Sequence, residues 1–234
     1  MIHLKEFATQ AEYEAFVESG EMKKPNVSLV NEPFGVFYNK FKKLGVFIHH
    51  INGTLYTQDG WVAAGFGSEK ANGVAVVEEN ASFVIAAKNI STKQVWSTTS
   101  EIVPGVEMRS SGDFSGTDLK GFENTQAIVA VYTDGAAVVC SNYIFPNGNK
   151  GYLPGIGELR IANEKREEID QLLGLIGGQT FGSSSMVDYF WSSTQTTDPS
   201  KAACTSMSQK FGIGNYNKSK QTSYQCRPFA RLDL

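Results

Sequence analysis

The stretch from Tyr189 to the C-terminus constrains the fold most. It opens with YFWSSTQ (Tyr189 to Gln195), three rings in a row, and runs directly into TTDPSKAACTSMSQKFGIGNYNKSKQTSYQCRPFARLDL. A core strand alternates or stays apolar, and a disordered tail lacks rings such as Tyr216, Tyr224 and Phe229. The tract closes on an aromatic, arginine and proline cluster. The pattern therefore calls for polar side chains presented on a rigid support.

Upstream, the order of elements is legible in outline. Thr9 and Glu12 offer a capping box, Tyr13, Phe16 and Val17 an apolar stripe, and Gly20 a stop, so a short helix is expected first. PNVSLV and FGVFYNK read as short strands around a turn at Pro33. GVFIHHINGTLYTQDGWV continues in strands, with Asn52-Gly53 as a hairpin signal. GVAVVEENASFVIA reads as two strands around Glu78 to Asn80. GTDLKGFENTQAIVAVY has the look of a helix start; AAVVCSNY either continues it or forms a strand, and periodicity does not separate the two. The strongest helix is expected over Glu158 to Leu175, where Leu159, Ala162, Ile169, Leu172 and Leu173 share one face and Gly177-Gly178 follows.

Composition narrows the function classes. With 234 residues the chain can bury one substantial core, or a small domain joined to a medium one. A net charge of -3 gives no overall pull toward nucleic acid or an anionic membrane. No run approaches the apolar length of a membrane span. The N-terminus lacks a charged-then-apolar signal design. Together with the odd count of 3 cysteines, this points to folding in a reducing cytoplasm.

Catalytic and metal-binding patterns are thin. His49 and His50 are adjacent and point to opposite faces of a strand, which is poor geometry for shared ligation. Cys140, Cys204 and Cys226 form no CxxC pair, so no metal site and no cofactor are expected. Cys204 and Cys226 are the pair that could meet in space. FGIGNYNKSK lacks phosphate-loop spacing, and GFGSEKANG reads as a loop. By its residues the chain is a presenter of surface and not an enzyme.

One ordered set of motifs is specific. FPNGNKGYLPGIGEL (Phe145 to Leu159), a following helix, LIGG (Leu175 to Gly178), YFWSSTQ and a terminal CRPFARL resemble the C-type-lectin-fold domains of phage and prophage proteins of gut Bacteroidales. Some of those are the variable proteins of diversity-generating retroelements. GVAVVEENASFVIA and FENTQAIVAVY are similar to that family's opening strands and first helix, so the resemblance covers about residues 72–234. The N-terminal KPNVSLVNEPFGVFYNK resembles a segment near the start of Bacteroidales phage structural proteins, crAss-like ones included.

The resemblance implies an α+β fold: a C-type-lectin-like domain over 72–234, with small antiparallel sheets and two helices. A helix-plus-hairpin attachment or oligomerisation segment would precede it over 1–62. It places Trp191, Arg227 and Pro228 as structural anchors. It assigns the ligand-facing surface to Gln195, Thr196, Thr197, Ser206, Ser208, Asn215, Tyr216, Asn217, Lys218, Lys220 and Tyr224, a mixture suited to adaptable recognition. The implied protein is a phage virion component, a head fibre or tail accessory subunit made in the host cytoplasm. It would bind other virion proteins through its N-terminal region and a host-surface glycan or protein through its tip, as a homo-oligomer. A bacterial surface adhesin of the same fold is the alternative, and a cysteine-dependent enzyme of the formylglycine-generating fold a more distant one. Two departures matter. Ala203-Cys204 stands where relatives carry Ala-Trp, and the Glu-Pro-Asn or Gln-Pro-Asp motifs of calcium-dependent sugar lectins are missing.

Overall fold

The computed structural model describes residues 44–110, 116–181, 188–207 and 214–232, with backbone alone at 214 and 215. Strand β1 (Gly45–His50) turns at Asn52-Gly53 into β2 (Leu55–Tyr56). Gly53 takes a φ of 94° there, and its N–H closes the turn on His50 O at 2.9 Å. The next stretch departs from the strand expected of it. QDGWVA forms helix α1 (Gln58–Ala63), because Thr57 Oγ1 accepts the Gly60 N–H at 3.1 Å and caps the first turn.

The apolar run after Asn72 behaves as its pattern demands. Every residue of β3 (Ala71–Val77) is buried, the mark of a strand covered on both faces. Glu78 to Asn80 return the chain into β4 (Ser82–Ile85). With β9 (Phe229–Arg231) these make a five-stranded antiparallel sheet, in the order β2-β1-β3-β4-β9. The C-terminal strand thus joins the N-terminal sheet, where Phe229 stacks on Phe83 at 4.8 Å between ring centroids. Burying each such ring contributes about 1.5–3 kcal/mol.

β1 pairs with β3 along its length, from Gly45↔Val77 to His50↔Ala71. Residues 44–62 therefore share the sheet and core of the larger region. The expected helix over Thr9 to Gly20, the strands of PNVSLV and FGVFYNK, and the rest of the attachment segment lie outside the described residues.

A second sheet carries the aromatic tract. β5 (Met108–Arg109) runs parallel to β6 (Tyr189–Thr196), followed by antiparallel β7 (Lys201–Ser206) and β8 (Gly214–Ser219). Helices α2 (Gly121–Val129) and α3 (Ala136–Ser141) pack on it through Ile128, Ala136, Ala137 and Cys140, against Trp191, Ala202 and Cys204. AAVVCSNY is therefore a separate helix, started after Gly135. The long helix expected over Glu158 to Leu175 is two, α4 (Ile156–Glu164) and α5 (Arg166–Leu175), broken at Lys165. Leu159, Ile169, Leu172 and Leu173 all point into the first sheet's core, so the expected apolar face is kept across the break.

A buried polar network joins α2, α4 and β6. Asp118 accepts from Asn124 Nδ2 at 2.7 Å and Thr194 Oγ1 at 2.5 Å. Glu158 accepts from Tyr152 Oη and from Gly155 N, both at 2.7 Å, capping α4 from within. Only glycine fits at 121, since a Cβ there would stand 2.1 Å from Glu158 Oε2. The result is a mixed α+β fold of small, mainly antiparallel sheets and a few short helices.

Candidate functional site

Strand pairing puts Trp191 beside Cys204 and Cys204 beside Tyr216, so these three side chains share one face of the second sheet. Two-residue alternation adds Tyr189 and Lys218 to that face. Tyr224 reaches it from the loop after β8, held by two backbone bonds to Gln94 at 2.9 Å each. The Tyr189 ring meets Tyr216 edge-on at 5.2 Å and Tyr224 at 5.1 Å, and Tyr224 leans on Trp191 at 4.9 Å. Lys218 Nζ stands 5.0 Å from the Tyr189 ring centre and 5.5 Å from that of Tyr216. Trp191 is fully buried, while the three tyrosines and Lys218 are half-buried.

This is a preorganised patch. Tyr189 braces both Tyr216 and Tyr224, Tyr224 rests on Trp191, and an ammonium lies within cation–π range of two of the tyrosines. Burial, the main cause, pushes the Tyr224 hydroxyl above its ordinary value, so it stays a neutral donor and acceptor. The Trp191 indole N–H donates to Gln94 O at 2.9 Å; the serines beside it take other partners. Such a surface offers flat apolar faces with polar edges, suited to sugar rings or to peptide side chains.

The remaining display candidates divide. Gln195 is buried and clamps the preceding loop, its Nε2 donating to Val103 O at 2.7 Å and its Oε1 accepting from Val103 N at 3.0 Å. Thr196 is buried, with Oγ1 donating to Asp198 O at 2.9 Å. Ser206 is buried at the end of β7, beside Asn163. Lys220 is buried as well: its Nζ donates to Glu101 O at 2.5 Å and sits 4.4 Å over the Trp96 ring, and burial pulls its pKa down to about 8. These four are corrected to framework positions, because their side chains are buried within the fold. Asn217 points to the opposite face and accepts from Arg109. Thr197 is exposed at the end of β6. Asn215 contributes backbone pairing to Thr205, and its side chain and Ser208 lie outside the described residues. Tyr216, Lys218 and Tyr224 are thus brought together, and Tyr189 joins them without having been singled out. Its signal was its position, two residues before Trp191 in a strand.

Arg227 and Pro228 lie in the interior. Arg227 Nε donates to Asn89 Oδ1 at 2.5 Å and its guanidinium stacks 4.4 Å over Phe181; Pro228 O accepts from Ala86 N at 3.0 Å. His49 is buried, bonded to Asn72 at 2.8 Å, and burial lowers its pKa to about 4. His50 packs instead among Tyr56, Trp61 and Phe66. Among the described residues no group of three His, Cys, Asp or Glu side chains could hold a metal ion, and no helix is long and apolar enough to cross a membrane. All three cysteines are buried free thiols. All three lie in one apolar cluster, and burial pushes the Cys204 pKa up to about 12 and raises that of Cys140 well above its ordinary value.

No protein-family model matches the chain, and no curated protein matches it. Among solved structures it is similar to a fimbrial protein from Bacteroides ovatus, with a TM-score of 0.56 at 14% sequence identity over 80% of this chain. The chain spans about half of that protein's length, 48%. At this identity the likeness is one of fold.

Proposed function

We propose that this chain is a structural surface protein with a C-type-lectin-like fold. Its Tyr189, Tyr216, Lys218 and Tyr224 face recognises a host-surface glycan or protein. The observation that carries this reading is the patch itself: rigid tyrosines offer large contact area at low entropic cost, and here Tyr189 packs on the other two while Tyr224 rests on a buried tryptophan. We place the protein in a phage virion, as a head fibre or tail accessory subunit. The motif order from Phe145 to Leu232 and the N-terminal resemblance support that placement. Residues before the first sheet attach it to other virion proteins or to sister subunits. A homo-oligomer on a particle multiplies a weak tip contact by avidity. The reading needs no enzymatic step and no cofactor.

A bacterial surface adhesin is the second reading, favoured by the fold shared with a fimbrial protein. Two measurements divide the question. Binding of the purified chain to host cells, with and without the tyrosine patch, tests recognition. Mass spectrometry of purified particles and of the cell-surface fraction tests location: particles carrying the chain in fixed ratio to capsid protein support the virion, and its presence only in the cell envelope supports the adhesin.

A further inference from the structure

One cleft shares no lining residue with the tyrosine patch. It is a cleft of about 750 Å³ between α2, α3 and the loop after α3, with Arg231 of β9 in its lining. Its size falls in the range of small-molecule sites. Phe122 forms part of the wall, with the Arg231 guanidinium 5.1 Å over its ring. Lys150 stands on the loop. Gln126, Asn142 and Asn149 present side-chain amides, all three exposed.

The charge balance is one-sided. Lys150 and Arg231 both line the cleft, and no aspartate or glutamate does among the described residues. Neither cation belongs to an ion pair among the described residues, whereas Lys120, Arg160, Lys165 and Lys201 each hold a carboxylate within 2.8 Å. Two cations lining one concavity, with no carboxylate beside them among the described residues, favour an anionic ligand. An arginine over a ring can still present its planar N–H fork to a carboxylate. The amides supply paired donors and acceptors of the kind that vicinal hydroxyls use. An aromatic wall, amides and two cations match a carboxylated saccharide better than a peptide, which would bring backbone groups seeking an extended strand edge.

We infer that this cleft is a binding site for an acidic oligosaccharide of the uronate class, separate from the tyrosine face and independent of it. The carboxylate sits between Lys150 and Arg231, one sugar ring lies against Phe122, and the amides read hydroxyls.

The test uses the full chain and two probes, a glucuronate-containing disaccharide and its carboxyl-reduced neutral counterpart, titrated by NMR or calorimetry. The expected result is saturable binding of the acidic sugar, at least about tenfold tighter than the neutral one. Lys150→Gln and Arg231→Gln should each weaken it about tenfold, and Tyr216→Ala with Lys218→Gln should leave it unchanged. Lys150 and Arg231 are exposed, so both single variants are expected to keep the wild-type melting temperature. Absent saturation, equal binding of both sugars, survival of binding in both cleft variants, or saturable binding of an acidic peptide alone would each overturn the assignment. Host-cell binding lost with the tyrosine patch but kept in the cleft variants would leave the recognition reading standing on its own.

Discussion

Arg109 on β5 bonds Asn217 on β8, with Nε 3.1 Å and Nη2 2.5 Å from the amide oxygen, and Nη2 also donates to Tyr216 O at 3.0 Å. These two strands are the opposite edges of the second sheet. Edges of a flat four-stranded sheet would stand about 14 Å apart, beyond the reach of one arginine side chain. The bond therefore requires a coiled sheet, and it ties down the strand that carries Tyr216 and Lys218.

Replacing this tie with an apolar side chain should loosen β8. Arg109→Met is expected to lower stability by about 1.5–3 kcal/mol, the range for buried hydrogen bonds to a charged group. The denaturant midpoint measures it, and hydrogen exchange should speed up at β8 amides more than at β3. Equal protection of β8 in variant and wild type would show that the arginine does not hold the edge.

Two buried groups set opposing pH dependences. Glu158 has its pKa raised from 4.5 to about 8, chiefly by burial, so the folded state keeps a proton that the unfolded chain has lost, and stability falls as pH rises through that window. His49 is lowered from 6.5 to about 4, again chiefly by burial, so stability falls as pH drops through its window. The two slopes cancel where the windows overlap, leaving a net decline of about 2 kcal/mol between the upper limits, pH 6.5 and 8. Glu158→Gln mimics the protonated acid, with its amide donating to Tyr152 Oη while its oxygen accepts from Gly155 N. That variant should abolish the decline, and His49→Gln should extend it to lower pH. Denaturation curves across pH 4 to 8.5 read both effects; an unchanged slope in Glu158→Gln would mean the carboxyl is ionised in the fold.

Thiol chemistry offers a sharp check on the enzyme alternative. Cys204 is pushed up to about 12, and Cys140 stands well above its ordinary value, by burial first in both cases. Alkylation of the native protein should be slower than that of the unfolded chain by about a thousandfold or more, because the thiolate is both scarce and enclosed. A cysteine labelled at the rate of a free thiol would contradict this and reopen the enzyme reading.

Much of the scaffold was legible because apolar patterning is strong in it. The β3–β4 hairpin follows from GVAVV and SFVIA around a polar turn, and the face shared by Leu159, Ile169 and Leu173 survives even though the helix breaks at Lys165. The break itself carries no proline or glycine signal. At the site, the placing of Tyr216, Lys218 and Tyr224 near a supported surface was readable, since rings in a polar tract need a support. Gln195, Thr196, Ser206 and Lys220 were not readable as framework: they are polar by type and buried through partners distant in sequence, such as Val103 and Glu101. Tyr189 was hidden by its neighbours, because YFW reads as one apolar block until the strand's alternation separates Tyr189 from Phe190.

The central claim is that the tyrosine face is a recognition surface. The decisive measurement is binding of fluorescently labelled full-length chain to host cells, compared with a variant carrying Tyr216→Ala, Lys218→Gln and Tyr224→Ala. Its folding would be confirmed by a wild-type far-ultraviolet circular dichroism spectrum and a cooperative unfolding transition. Loss of the three contacts should weaken binding by at least about a hundredfold, given about 1–2 kcal/mol for each anchor removed from a hot spot. Equal binding by the folded variant and the wild type would contradict the account.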